Sequence, residues 1–219
     1  MRVITLPCGP IDANSYIVWD ENQSRDESGL KVCAVIDPAD AKLIMQRMAA
    51  EKLRCTHILL THGHFDHIAG LAELKAATGA RVCVNEGDLK MLLDGRYSYA
   101  NGMGARQTPT QPDLLVNEGD TIEVGGLKLR VLYTPGHSKG GVTYVVDGER
   151  AAFTGDTVFF ESIGRTDLLG GSMRELSRSF FDKILTLPPE TKLYPGHMIA
   201  TSVAHESEYN LLIGDRSNA

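Results

Sequence analysis

The chain has 219 residues, of which 42% are hydrophobic, and this favours one domain over residues 1–219 with a sizeable core. Its 28 acidic and 22 basic residues give a net charge of −6 without a basic stripe, which disfavours a nucleic-acid partner. The first residues lack the apolar core of a secretion signal, and no stretch approaches the roughly 18 apolar residues of a membrane span. We therefore expect a soluble, cytoplasmic protein with no membrane partner.

Short apolar runs alternate with helical patterns in the first half of the chain. They predict strands at 3–6, 15–19, 32–36, 57–61 and 81–84, and helices at 41–52, 66–78 and 86–93. Residues 95–112 form an irregular stretch that is too long for a plain connector. We expect this stretch to be a lid or a substrate-binding loop.

The second half of the chain repeats the same alternation. It predicts strands at 121–124, 127–133, 142–146, 151–153 and 192–194, and helices at 173–185 and 206–212. Gly125 and Gly126 indicate a hairpin between the first two of these strands. Two strand-rich halves, each followed by helices, predict an α+β fold in which two facing sheets are covered on the outside by helices.

The four cysteines of the chain are scattered and form no Cys-x-x-Cys pair. Three of them lie inside apolar stretches, as Cys33 does between Val32 and Ala34. We expect buried free thiols rather than disulfides. The four are Cys8, Cys33, Cys55 and Cys83.

Four side chains able to bind metal follow the predicted strand 57–61 directly: His62, His64, Asp66 and His67. His62 and His64 are two residues apart in extended chain and so point to the same side. The turn into the next predicted helix directs Asp66 and His67 elsewhere, which suits a second ion beside the first. The motif therefore predicts a site for two metal ions.

Three further candidate ligands, His137, Asp156 and His197, each follow a glycine at the end of a predicted strand. Each alone is typical of an ordinary turn residue. A catalytic zinc ion keeps three protein ligands and one open position, and the complete set satisfies two such ions. The hypothesis assigns His62, His64 and His137 to the first ion, Asp66, His67 and His197 to the second, and Asp156 to a bridge between them.

Nitrogen and carboxylate ligands without thiolate suit zinc and also tolerate iron or manganese. We therefore expect two divalent ions, with zinc as the first choice. Two histidines are left outside the ligand set. We interpret His57 as structural and His205 as solvated.

These motifs, in this order and over nearly the whole chain, resemble the metallo-β-lactamase fold superfamily. The resemblance implies a four-layer αββα sandwich with a dimetal site at one edge, between the two sheets. Within the superfamily, the runs 153–167 and 9–16 are similar to the glyoxalase II (hydroxyacylglutathione hydrolase) group. Little chain follows His197, so we expect the short form without the C-terminal helical domain that holds much of the glutathione.

The resemblance implies a dinuclear, metal-dependent hydrolase of thioesters, with S-lactoylglutathione or a related acylglutathione as substrate. Asp66 would bind the second ion and orient the attacking hydroxide. Arg165, in the run Gly-Arg-Thr-Asp, matches a basic position near the glycine carboxylate of glutathione, although it could equally be a surface partner of Asp167. Asp156 argues against lactam cleavage, because the true β-lactamases of the superfamily lack this bridging carboxylate.

Three alternatives stay open. A persulfide dioxygenase would hold one iron ion through His62, His137 and Asp156, but its relatives have Pro-Ala-His where this chain has glycine at 196. A lactonase would use the same two ions on an oxygen ester. A non-catalytic module should have lost at least one ligand, and none is lost here.

The tyrosines of residues 95–112, Tyr97 and Tyr99, are substrate contacts or merely cover the core.

Overall fold

Two six-stranded sheets form the centre of the molecule in the computed structural model, which describes residues 1–216. The first sheet contains, in both chain order and spatial order, β1 (Arg2–Cys8), β2 (Ala13–Trp19), β3 (Lys31–Ile36), β4 (Leu53–Leu59), β5 (Arg81–Val84) and β6 (Leu114–Leu115). Strands β1 to β3 pair antiparallel, and β3 to β6 pair parallel.

The second sheet begins with β7 (Thr121–Val124), β8 (Leu127–Tyr133), β9 (Val142–Val146) and β10 (Ala151–Gly155). The chain then forms a separate hairpin, β11 (Val158–Phe159) and β12 (Ser162–Ile163), and returns with β13 (Lys192–Pro195) and β14 (Thr201–Ser202). The spatial order is β14-β13-β10-β9-β8-β7, in which only the β10–β13 pair is parallel.

Helices cover the outer face of each sheet. They are α1 (Ala41–Glu51), α2 (Phe65–Ile68), α3 (Leu71–Thr78), α4 (Leu89–Leu93), α5 (Met173–Asp182), α6 (Val203–Tyr209) and α7 (Leu211–Arg216). Buried side chains of α1, α3 and α4 pack on the first sheet, and those of α5, α6 and α7 pack on the second. The predicted α+β class and the four-layer αββα sandwich are confirmed.

Alternation along β2 explains why the central strands are apolar on both faces. Ile17 and Trp19 pack toward the helices, whereas Tyr16 and Val18 pack toward the second sheet. Successive side chains of a strand point to opposite faces, so a sheet covered on both sides buries all of them. Each large apolar side chain buried in this way contributes about 1.5–3 kcal/mol.

Four predicted helices are interrupted in the structure. The stretch 86–93 divides into a 3₁₀ turn, Glu86–Asp88, and α4, and the stretch 173–185 divides into α5 and a 3₁₀ turn, Ile184–Thr186. The single helix predicted over 66–78 is wrong, because α2 and α3 are separate helices divided at residues 69–70. The helix predicted over 206–212 begins earlier, at Val203, and is interrupted at Asn210. The Asn210 side chain donates to the Ser162 carbonyl (2.9 Å), which anchors the chain to β12 at the point of interruption.

Four two-residue strands, β6, β11, β12 and β14, were not predicted, because two residues are too few to show an apolar period. Residues 95–112 are irregular as expected, apart from one 3₁₀ turn at Asn101–Met103. All four cysteines are buried free thiols, which confirms that prediction. The single domain over residues 1–219 stays a prediction, and its last three residues lie outside the described part.

No helix within residues 1–216 is both long enough and apolar enough to cross a membrane.

Candidate metal centre

The predicted ligands meet at one edge of the sandwich, where strands of both sheets end. The first sheet supplies the turn after β4 and helix α2, which carry His62, His64, Asp66 and His67. The second sheet supplies the turns after β8, β10 and β13, which carry His137, Asp156 and His197. The structure thus brings together all seven residues proposed as ligands, although they are spread over most of the chain.

Three histidines form the first half of the site. One ring nitrogen from each of His62, His64 and His137 lies within 4.8 Å of the others. The closest approach is 2.8 Å, between Nδ1 of His64 and Nε2 of His137. Nitrogens that converge in this way can share one ion.

Asp66, His67 and His197 form the second half, with ligand atoms also within 4.8 Å of one another. Nε2 of His197 lies 3.1 Å from Oδ2 of Asp66 and 3.4 Å from Nε2 of His67. These atoms form a second group of possible metal ligands beside the first group. The arrangement therefore has room for two ions.

Asp156 lies between the two halves. Its Oδ2 is 3.3 Å from Nε2 of His137 in the first half, and its Oδ1 is 3.4 Å from Nε2 of His67 in the second. Gly196 leaves the space for this carboxylate, since a Cβ there would lie 2.1 Å from Oδ1 of Asp156. One carboxylate can thus reach both halves.

Asp37, at the end of β3, orients two of the histidines, and the sequence analysis missed this role. Its Oδ2 accepts from the Thr61 hydroxyl (2.5 Å) and from Nδ1 of His67 (3.0 Å). Because the Thr61 hydroxyl donates to Asp37, its oxygen can accept from Nδ1 of His62 (3.0 Å). Both histidines then turn the Nε2 lone pair toward the site, as metal-binding histidines require. The available signal was an acid that directly follows a buried strand.

His137 is oriented by the main chain. Its Nδ1 donates to the carbonyl of Arg165 at 2.8 Å, which leaves the Nε2 lone pair free on the site side. The guanidinium of Arg165 itself is exposed and pairs with Asp167 at 2.7 Å. The interpretation as a partner of Asp167 is therefore correct as a contact, and substrate binding by Arg165 stays a prediction.

Two buried atoms that face the site have no hydrogen-bond partner among the described residues: Nε2 of His62 and Oδ1 of Asp156. Nε2 of His64 is also without a partner, but it is Nδ1 of that ring that faces the other ligands. An unsatisfied buried polar atom costs about 1–3 kcal/mol, so such atoms need a partner in the functional protein. Imidazole nitrogens and carboxylate oxygens are donors that divalent transition metals take. The residues therefore fit metal ions.

Burial favours the neutral form of two histidines of the site, His62 and His64. It lowers the pKa of His62 well below its usual value and the pKa of His64 to about 3. Burial opposes the charged form of Asp66, but the neighbouring His67 and the hydrogen bond from His197 outweigh it and hold the pKa of that carboxyl well below its usual range. Neutral imidazole and ionised carboxylate are the forms that bind metal.

The site opens to solvent beside His197, whose side chain is 22% exposed whereas that of His67 is fully buried. Phe159 contacts the His197 ring edge-on, and the exposed side chains of Met198 and Ile199 follow that ligand in the chain. On the other side, the ring of Tyr99 lies 5.8 Å from that of His64. A substrate reaching the ligands from solvent would pass between these groups.

The remaining candidates separate clearly. Tyr97 packs on the core, as one of the two interpretations expected. Tyr99 lies beside His64, and its contact with a substrate stays a prediction. His57 is buried and accepts a hydrogen bond from Arg81, in agreement with a structural role. The interpretation of His205 as solvated is incomplete, because its ring stacks on Phe160 and contacts Glu161.

Comparison with known sequences agrees with this geometry. Residues 9–197 match a family described as the metallo-beta-lactamase superfamily. The chain is 35% identical over 213 residues to the probable metallo-hydrolase YqgX of Bacillus subtilis, covering 96% of each chain. It is 28% identical to the hydroxyacylglutathione hydrolase GloC of Haemophilus influenzae, covering 99% of this chain and 100% of that one.

Solved structures show the same relationship. BLEG-1, described as a B3 metallo-beta-lactamase, superposes with a TM-score of 0.88 at 31% identity, over 97% of this chain and 99% of that chain. TTHA1623, solved in a di-iron-bound form, gives 0.81 at 31% identity, over 95% and 98%. ETHE1 from Myxococcus xanthus gives 0.78 at 28% identity, over 98% and 85%.

Proposed function

The chain belongs to the metallo-beta-lactamase superfamily and is a metal-dependent hydrolase, and from this premise we propose that it hydrolyses thioesters. S-lactoylglutathione or a related acylglutathione is the first choice of substrate. The relationship to GloC, a hydroxyacylglutathione hydrolase, supports this choice. The cytoplasmic location expected from the sequence is part of the same proposal.

The observation that carries the proposal is the position of Asp156, which reaches both halves of the ligand cluster. We assign one ion to His62, His64 and His137, a second to Asp66, His67 and His197, and the bridge to Asp156. Zinc is the first choice, and the di-iron form of TTHA1623 keeps iron in consideration. When bound, two such ions lower the pKa of a shared water molecule and polarise the scissile carbonyl.

Asp66 has a second role in this proposal. Its Oδ2 faces His197 and His67, and we assign its other oxygen to the attacking water, which it would hold in line with the carbonyl. A thiolate leaving group of pKa near 8.5 can depart without a proton donor. The chemistry of a thioester therefore needs no acid beyond the groups already present.

Gly196 favours the hydrolase over a persulfide dioxygenase, which is the second candidate and which the likeness to ETHE1 keeps in view. Those enzymes resemble this chain but have alanine before the last histidine. An alanine Cβ at 196 would lie 2.1 Å from Oδ1 of Asp156 and 2.7 Å from the His67 ring, so that carboxylate or ring would have to move. Glycine allows Asp156 to lie against His67, as a bridge to the second half requires.

Cyclic substrates are further candidates. A lactone uses the same two ions, and the likeness to BLEG-1 adds a β-lactam ring to the comparison. Both would enter by the opening beside His197, and Asp156 argues against the β-lactam. The choice between them and a thioester is a matter for kinetics.

The test is metal analysis of the purified protein with assays on matched substrates: acylglutathiones including S-lactoylglutathione, a lactone, a penicillin, and glutathione persulfide with an oxygen electrode. We expect two ions per chain and the highest kcat/KM for an acylglutathione. One iron per chain with persulfide-dependent oxygen consumption would replace the proposal with the dioxygenase. Faster cleavage of the lactone or the penicillin would keep the two ions and change the substrate.

A further inference from the structure

A buried carboxylate outside the ligand set, Asp88, lies behind the three histidines of the first half. It ends the 3₁₀ turn Glu86–Asp88, just before α4, and its side chain is fully buried. Within residues 1–216 it has no ion-pair partner. A carboxylate buried in this way must be satisfied by hydrogen bonds, and the identity of its donors indicates its role.

Its three donors lie in the two turns that carry the first group of proposed ligands. Oδ2 accepts from the Gly63 amide (3.1 Å) and from the Ser138 hydroxyl (2.6 Å), and Oδ1 accepts from the Gly140 amide (2.7 Å). Gly63 lies between His62 and His64, and Ser138 directly follows the third histidine of this half. The Asp88 side chain therefore joins the two turns that carry the three proposed ligands of the first ion.

These two turns belong to different sheets. The turn 62–64 follows β4 of the first sheet, whereas the turn 134–141 connects β8 and β9 of the second. A backbone bond from Val142 to the Thr61 carbonyl (2.8 Å) joins them at the base, and Asp88 joins them at the level of the ligands. Small changes in the distance between the turns would change the separation of His64 and His137 directly.

The backbone around Asp88 leaves no room for larger residues. A Cβ at Gly63 would lie 2.6 Å from Cβ of Met91, and one at Gly140 would lie 2.5 Å from the amide nitrogen of Asp88. The segment 86–91 is thus pressed against both turns. Close packing and the hydrogen bonds of Asp88 act at the same place, and together they fix the distance between the two turns better than either would alone.

We propose that Asp88 is a positioning residue that holds the turn 62–64 against the turn 134–141 and thereby sets the affinity of the first half for its ion. The inference rests on the metal assignment made above. Loss of such an outer partner typically costs about 10–100-fold in metal affinity.

The experiment compares Asp88→Asn with Glu206→Gln in metal-free protein titrated with Co²⁺. Glu206 is a matched control, because it is equally buried and also accepts hydrogen bonds from three residues, Glu161, Thr201 and Asn210. It contacts neither of the two turns. The readouts are Co²⁺ absorption, competition with a chelator, and the melting temperature of each metal-free variant.

We expect Asp88→Asn to lower the affinity of one of the two sites for Co²⁺ by about 10–100-fold and to leave the affinity of the other site nearly unchanged. An asparagine keeps one acceptor oxygen, which can accept from Gly63 in one turn or from Gly140 in the other, but not from both. Glu206→Gln should lower the melting temperature without changing either Co²⁺ affinity. If Asp88→Asn does not fold, Ser138→Ala carries the test, with a smaller loss expected at the same ion.

Unchanged binding of both ions in the folded Asp88 variant, or in Ser138→Ala if that variant must replace it, would overturn the inference. Equal weakening of both ions would also overturn it, since a general loss of stability would act on both halves. A wild-type protein that binds no Co²⁺ would instead refute the metal assignment, which is a different failure and is seen before any variant is compared.

Discussion

Asp156 and Asp66 are the two carboxylates on which the proposed dinuclear site depends. Asp156 contacts both halves, and Asp66 contacts the two histidines of the second half. Removing either leaves buried histidine nitrogens without an anionic partner for the ions they hold. Each of these two carboxylates contacts two of the proposed histidine ligands, so a single substitution should have a large effect on metal binding.

The first prediction concerns these two carboxylates. Asp156→Ala and Asp66→Ala should each lose metal and lower kcat/KM by more than about 100-fold, because a direct ligand costs more than an outer partner. Metal per chain and thioester hydrolysis are measured together. Asp147→Asn is the control, since Asp147 pairs with Arg130 on the surface. Two ions and full activity in either alanine variant would refute its role.

Arg165 provides a second prediction. Its guanidinium is exposed and should contribute little to the fold, whereas a charged hydrogen bond to a substrate carboxylate would be lost with the side chain. Arg165→Ala should therefore raise KM for S-lactoylglutathione about 10-fold or more, with kcat nearly unchanged. Arg150→Ala is the matched control, because Arg150 is also exposed and pairs with Glu190. An unchanged KM would remove Arg165 from the substrate site.

Helix α2 explains why one predicted helix became two. It has four residues, Phe65–Ile68, and carries two of the proposed ligands. The Gly70 amide donates to the Pro38 carbonyl (2.8 Å), which attaches the chain to the loop after β3 before α3 begins. The short helix can thus take its direction from the site, while α3 packs its apolar face on the sheet.

The pair of strands β4 and β5 gives a prediction about pH. Burial, and then the charge of Arg81, lower the pKa of His57, and Arg81 donates to its Nε2 at 2.7 Å. Unfolded histidine titrates near 6.5, so below that pH the unfolded chain binds a proton that His57 in the folded chain does not bind. The contribution of His57 to the free energy of unfolding is therefore complete above about pH 6.5. It is lost as the pH falls toward the lower pKa of His57 in the folded protein.

His57→Gln should reduce this acid sensitivity, because glutamine can accept from Arg81 at every pH. Between pH 7 and pH 5 the unfolding free energy of metal-free wild type should fall more steeply than that of the variant. Urea unfolding at several pH values provides the measurement. Parallel curves for the two proteins would show that His57 already titrates normally.

At the scale of the whole molecule, the proposed ions join the two sheets. The first sheet and its helix α2 carry four of the assigned ligands, and the second sheet carries three. Ions bound to the folded state only stabilise it by mass action, by about 2.7 kcal/mol at 100 times the dissociation constant. For a chain of this length, one kcal/mol shifts the melting temperature by about 2–4 °C.

Removing both ions, each of which would contribute at this level, should therefore lower the melting temperature by about 10–20 °C. Calorimetry before and after a chelator measures the change, and adding back zinc should restore it, whereas calcium should not, because it prefers an all-oxygen site. Equal melting temperatures with and without chelator would mean that the sheets do not depend on metal.

The sequence by itself determined the fold class and the candidate ligands. Apolar periods of two and of 3.6 residues are local, so strands such as β8 and helices such as α1 could be read directly. His62, His64, Asp66 and His67 are dense enough to stand out, and they made the isolated His137, Asp156 and His197 credible.

The tertiary structure decided everything that depends on distant parts of the chain meeting. Asp37 follows a buried strand and Gly196 precedes a proposed ligand, but their roles, like that of Asp88, depend on side chains far away in the chain. The same holds for the two-residue strands and for the different positions of Tyr97 and Tyr99. The physical reason is that periodicity and turn chemistry act over a few residues, whereas burial, hydrogen-bond partners and the space left for a carboxylate arise only when the two sheets pack.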